Sequence, residues 1–313
     1  MPAGGTKVFD HSMKSSLAIS LPESAPFVSA ISRTTAVFRG YEKILLAYFV
    51  YVAVMLSSRP QAVSHRILAW TIPLALIVGF ALESHHSAPW SRVTRDWLAI
   101  GLILIAYREV DWLGDKPPLS HLQDVWIRWD HIILNQMGVR SAIEAFGGFI
   151  PSMLEAVYLS LYAIPAICIG TLYRHGGRPR IQRFLATLML GTLCAYVLLP
   201  FFPSVSPRLA FPSESLPGWH SVWRTINIWR LEHGDIDSSV FPSGHVAVAF
   251  SCAFGLLRAI PERRPIWLTA FLAAIVVFTA TIYCRYHYAV DGLASIGISI
   301  VAWGLTAAMD RDA

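Results

Sequence analysis

Two short polar blocks interrupt the apolar C-terminal half of this chain. The first is Phe241-Pro242-Ser243-Gly244-His245, placed directly ahead of an apolar run. A proline before the first turn, a serine able to cap and a glycine permitting close approach describe a helix start with unsatisfied backbone N–H groups. Such a start binds an anion such as phosphate through those groups and the helix dipole. His245 would stand beside that anion. Taken alone, the block describes a capped helix with an incidental histidine equally well.

The second block, Thr281-Ile282-Tyr283-Cys284-Arg285-Tyr286-His287-Tyr288-Ala289-Val290-Asp291, separates two further apolar runs. His287 and Asp291 are four positions apart. In a helix starting near His287 this spacing puts both on one face, so the carboxylate can accept the Nδ1–H and leave Nε2 free to attack. Asp291 falls about one turn inside an apolar span. A charge there costs about 2.5–3.5 kcal/mol at the helix centre and less near its end, and such residues face protein or water and tend to be functional. A snorkelling terminal pair is the plain structural alternative.

The elements that must position these blocks are membrane helices. The 313 residues are 55% hydrophobic and only 14% charged, against roughly 25% charged in an ordinary soluble domain. Too few charges remain to coat a globule of this size, which excludes soluble, disordered and fibrous classes. The net charge of +5 comes from 25 dispersed lysines and arginines, which form no nucleic-acid patch. The expected fold is all-α, a polytopic membrane bundle of about eight spans near Lys43 to Ser57, Ile67 to Leu82, Trp97 to Tyr107, Met153 to Tyr173, Phe184 to Phe202, Gly244 to Ile260, Ile266 to Tyr283 and Tyr288 to Met309. The third is the weakest, and seven spans is the alternative. Cys168, Cys194, Cys252 and Cys284 stand alone in apolar runs and read as small hydrophobes.

Residues 1–40 read as a cytoplasmic tail without a cleaved signal, carrying Lys7, Lys14, Arg33 and Arg39. Residues 41–151 read as N-terminal transmembrane helices plus an interfacial segment, and residues 152–313 as the catalytic membrane core. Short loops holding Arg174, Arg178, Arg180 and Arg183, and Arg258, Arg263 and Arg264, should be cytoplasmic by the positive-inside bias. Both termini are then cytoplasmic and both polar blocks extracytoplasmic. Two outer connections are long. Within residues 108–152, Leu122, Val125, Trp126, Trp129, Ile133 and Met137 recur at helical spacing with Asp124, Arg128 and His131 between them, as in a helix lying along the interface. Residues 203–240, with Trp219, Trp223 and Trp229, read as a loop folded against the headgroup layer.

Together the two blocks resemble the type 2 phosphatidic acid phosphatase superfamily, whose pattern is Lys-x6-Arg-Pro, Pro-Ser-Gly-His and Ser-Arg-x5-His-x3-Asp. The second block matches in full at Pro242 to His245 and the His-x3-Asp at His287 to Asp291, over a resemblance spanning approximately residues 150–308. Two departures stand out. Ala280-Thr281 occupies the Ser-Arg position, with Arg285 four positions later, and Phe201 occupies the lysine position seven before Arg208. The resemblance implies that His287 is the nucleophile, Asp291 its orienting carboxylate and His245 the acid that protonates the departing alkoxide. It further implies that Ser243, the Gly244 N–H, Arg208 and Arg285 hold the phosphate, with no metal or other cofactor. Arg208 and Arg285 could alternatively be interfacial cations.

Loss of the lysine, the Arg-Tyr-His-Tyr run and the stretch from Trp129-Asp130-His131 to Gly138 look more like the branch of inositol phosphorylceramide synthases. The implied activity is hydrolysis of a lipid phosphate, or transfer of a phospho-headgroup such as phosphoinositol to a lipid alcohol. Its partners would be a phospholipid or isoprenoid-phosphate substrate, a lipid-alcohol acceptor and the bilayer, with no nucleic acid. An inactive scaffold of the same fold is the main competitor, and a transporter a weaker one. Glu232, His233, Asp235 and Asp237 are polyol contacts or a solvated loop. Glu155 lines the same cavity or hydrogen-bonds a neighbouring helix. No role is assigned to His85, His86 or His121.

Overall fold

A computed structural model describes residues 38–84, 89–114, 121–213, 217–236 and 238–309. Lys7, Lys14, Arg33, His85, His86 and Asp237 lie outside the described residues. Among those described there is no strand, and all eight apolar runs fall in helices. In chain order these are α1 (Gly40–Ser57), α2 (Val63–Ser84), α3 (Pro89–Asp111), α4 (His121–His131), α5 (Val139–Glu144), α6 (Phe149–Ser160), α7 (Ile164–His175), α8 (Arg178–Leu198), α9 (Pro207–Ala210), α10 (Val222–Gly234), α11 (Gly244–Ala259), α12 (Arg264–Tyr283) and α13 (Ala289–Met309).

Six segments are long and apolar enough to cross a membrane, namely α1, α2, the joined α6–α7 rod, α8, α12 and α13. The other two expected spans fall short for different reasons. Helix α3 has 23 residues but carries Arg92, Arg95, Asp96, Arg108, Glu109 and Asp111 toward its ends. Helix α11 is apolar but only 16 residues long, about 24 Å at 1.5 Å per residue, against about 30 Å of hydrocarbon.

Helices α8 and α11 form the centre. Helix α11 packs on α8, α12 and α13, while α8 also meets α1 and α3, so the spine joins the N-terminal helices to the C-terminal ones. Nearly every residue of α11 is buried, and small Ala247, Ala249, Ala253 and Gly255 let its neighbours approach closely. The peripheral α12 instead buries Ala274, Val277 and Ala280 and leaves Leu268, Leu272 and Ile275 exposed, the one-sided burial of a helix facing lipid.

The basic loops gather at one end. Arg180 pairs with Glu262, and Arg258 Nη1 donates to the Arg183 carbonyl at 2.8 Å. The starts of α1 and α3 lie there too, through Arg39 to Asp96 at 2.7 Å and Tyr173 to Asp96 at 2.8 Å. At the opposite end the connections are more ordered than a surface loop. Residues 203–240 contain α10, whose N-cap Ser221 accepts from the Arg224 N–H at 3.2 Å. The expectation of a loop there is corrected: Arg224, Asn227 and Leu231 recur at helical spacing and are buried, which proline, glycine and tryptophan content obscured.

Candidate active site

The junction before α13 falls close to the sequence expectation. The helix begins at Ala289, two residues past His287, where Asp291 Oδ2 accepts the Tyr288 N–H at 2.9 Å and so caps the turn. His287 stands outside the helix, yet its Nδ1 is 3.3 Å from Asp291 Oδ2 and 3.0 Å from the Val240 carbonyl. Both neighbours are acceptors, so Nδ1 carries the proton and Nε2 is left with its lone pair.

His245 enters from the start of α11, its ring centroid 5.6 Å from that of His287. The blocks are tied by backbone: the Ser243 N–H donates to the Asp291 carbonyl at 3.2 Å, and Ser295 Oγ donates to the carbonyls of Ser243 at 2.8 Å and Asp291 at 2.9 Å. Ser243 Oγ caps α11 by accepting from the Val246 N–H at 3.4 Å. Both the side chain and the N–H of Ser243 are thus engaged within the protein. A Cβ on Gly244 would lie 2.9 Å from the Tyr196 ring, so glycine is what lets α11 start against α8.

The two arginines differ in kind. Arg208, in the single turn α9, is half-buried, and its backbone N–H donates to the Arg285 carbonyl at 3.1 Å. Among the described residues its guanidinium takes no ion pair, which suits a ligand for an incoming anion. Arg285, at φ +64°, is buried, and its Nη1 donates to Asp130 Oδ2 at 2.9 Å. The structure thus brings the backbone of Arg285 to the site and ties its Nη1 to α4.

Several site residues escaped the sequence reading. Tyr158 and Tyr162 hydroxyls lie 3.2 and 3.4 Å from His245 Nε2, and the Arg230 guanidinium sits 5.7 and 4.8 Å from the two ring centroids and donates to Tyr162 Oη. Their signal was the polar stripe Glu155, Tyr158 and Tyr162 at helical spacing in an apolar span. Glu155 itself does not face the histidines. It pairs with Arg224 at 2.9 Å and accepts from Asn227 at 2.8 Å and Tyr286 at 2.7 Å, resolving its two sequence alternatives toward a link between helices. Asp235 accepts from Tyr107, Glu232 is exposed, and His233 bonds its own helix at Trp229 O, 2.7 Å away.

An apolar groove ends at this site. Its walls are Ile100, Ile103, Leu104 and Tyr107 of α3, Leu161, Tyr162 and Pro165 of the α6–α7 rod, Tyr196 of α8, and Gly244, His245 and Val248 of α11. Leu104 is also exposed on the outer surface, so the groove runs from the apolar flank to the histidine.

Fold and site define a polytopic all-helical membrane protein with two histidines and a buried aspartate gathered at one end of its bundle. The family model of the PAP2 superfamily matches residues 137–305, more than half of the chain, and the chain belongs to that superfamily. It is also similar to a PA-phosphatase related-family protein of Dictyostelium discoideum, 27% identical over 127 residues, covering 39% of this chain and 22% of that protein. The match therefore spans about a fifth of that relative. No solved structure matches the chain.

Proposed function

We propose that this protein is an integral membrane lipid phosphatase that works through a phosphohistidine on His287. The observation that carries this reading is the orientation of His287, with Nδ1–H turned to Val240 O and Asp291 and His245 alongside, at the end of an apolar groove. His287 Nε2 attacks phosphorus, forming an N–P bond as the P–O bond to the lipid alkoxide breaks. The alkoxide takes its proton from His245. Water then attacks the phosphohistidine, gives a proton back to His245, and phosphate leaves as the N–P bond breaks. We assign Arg208, the Gly244 N–H and the Ser243 O–H, whose oxygen rather than its proton serves the helix cap, to the developing phosphate charge, and preorganised donors of this kind supply most of the rate in phosphoryl transfer. The groove takes the hydrocarbon of a phospholipid or isoprenoid phosphate.

Discharge of the same intermediate by a lipid alcohol would make a phosphotransferase. The sequence likeness to inositol phosphorylceramide synthases, with Phe201 in place of the lysine, favours this second reading. One labelled phospholipid, incubated with and without a lipid-alcohol acceptor, separates the two. Free phosphate without acceptor supports the phosphatase; product formed only with acceptor supports the transferase. His287→Ala should abolish turnover and acid-labile labelling of the protein, and His245→Ala should slow turnover roughly 100- to 10,000-fold. Full function in the double variant would support the scaffold. By the positive-inside bias, the basic loops face the cytoplasm and we assign the active site to the opposite, extracytoplasmic face.

A further inference from the structure

Helix α4 lies outside the family match, yet its buried face reaches all three blocks. Gln123 Nε2 donates to the Val205 carbonyl at 2.9 Å, close to Arg208, and to Tyr288 Oη at 3.2 Å. Trp126 stacks on Phe241 at 5.4 Å and meets Tyr288 edge-on at 5.5 Å. Asp130 spends one oxygen on Arg285 Nη1 and the other on the Ala289 N–H, each at 2.9 Å. Both groups flank His287, and the Ala289 N–H opens the helix that carries Asp291.

Arg285 is tied to α4 through Nη1. Its side chain and that of Asp130 are each 1% exposed. Moving Nη1 off Asp130 would leave an uncompensated buried charge, which is the costly way to lose such a pair, so the guanidinium stays on Asp130 while phosphate binds. Arg208 needs no such sacrifice.

We propose that Asp130 is a positioning residue: it holds the Arg285 guanidinium and the first N–H of α13 so that His287 and Asp291 keep their attack geometry, while Arg208 meets the phosphate charge. This rests on the phosphohistidine reading above. Asp130 thereby makes helix α4, which lies outside the three-block pattern, part of the catalytic apparatus.

The test uses the full chain in lipid nanodiscs, with hydrolysis of a lipid phosphate as activity and orthovanadate as the phosphate-like probe. Asp130→Asn and Arg285→Gln should each lower kcat about tenfold or more and leave the vanadate inhibition constant within about threefold. The double variant should be little worse than the poorer single, as expected for residues acting as one unit. Arg208→Gln should instead raise the vanadate constant about tenfold. Arg285→Lys keeps one charged donor for Asp130 and should recover most of kcat, whereas a bidentate phosphate ligand would not be rescued. The proposal is overturned if Arg285→Gln weakens vanadate as Arg208→Gln does, or if Asp130→Asn leaves kcat unchanged. Should Asp130→Asn fail to fold, the Arg285→Gln and Arg285→Lys pair makes the same decision. A wild-type protein that neither turns over lipid phosphate nor binds vanadate overturns the functional reading instead.

Discussion

Burial pushes the Asp130 carboxyl up to about 7, against the lowering effects of the Ala289 N–H and Arg285, with Asp291 adding to the rise. Arg285, Asp291 and Tyr288 are the ionisable groups that face it. A free aspartate titrates near 3.9, so between about pH 4 and 7 the native state holds a proton that the unfolded state lacks. Stability contributed by Asp130 is therefore fully present at low pH and declines as pH rises through about 7. Activity should run the other way, since only ionised Asp130 pairs with Arg285. Wild-type kcat should gain a component that rises through pH 7, and Asp130→Asn should remove that component while flattening the melting temperature between pH 5 and 7. Parallel pH titrations of kcat and melting temperature check both. This dependence was not legible in the sequence: Asp130 and Arg285 are 155 positions apart, and nothing in a lone aspartate of an amphipathic stretch says which face it takes. The structure turns Leu122, Val125 and Trp129 outward together with Asp124 and Arg128, and buries Gln123, Ile127 and Asp130, so two of the helix's polar residues lie on the protein side.

Among elements, α10 and the α6–α7 rod are joined by a buried Arg224–Glu155 pair. Arg224→Met would leave Glu155 with neutral donors such as Asn227 and Tyr286, and removing one partner of a buried pair costs about 3 kcal/mol. Thermal unfolding in detergent should show that loss, and an unchanged transition would mean that the neutral donors suffice. Helix α3 carries a different kind of consequence. Its residues Ile103 and Leu104 wall the groove that ends at His245, although α3 lies before the family match. Ile103→Trp should raise KM for a long-chain lipid phosphate about tenfold and leave a water-soluble phosphate monoester unaffected. Equal effects on both substrates would place the chain elsewhere. The spans themselves were legible, because an apolar run of sufficient length has few alternatives to a membrane helix. Helix α10 was not, because its buried face is Arg224, Asn227 and Leu231, and two polar residues in three hide the amphipathic period.

For the whole molecule, alternating helices carry the basic loops to one end and both polar blocks to the other. If the positive-inside bias sets orientation, a cysteine at Glu262 should react with an impermeant thiol reagent only from the cytoplasmic side, and one at Trp219 only from outside. The reverse pattern would move the active site to the cytoplasmic leaflet. Charge scarcity made the chain a membrane protein before any fold was known, and Pro-Ser-Gly-His with His-x3-Asp marked His245, His287 and Asp291, since residues four apart or within one turn have few relative placements. Only the tertiary structure decided which partners Arg285, Arg230, Glu155 and α3 take. Their partners are distant in the chain, and a buried charge takes whichever partner the packing of other helices brings within hydrogen-bond reach.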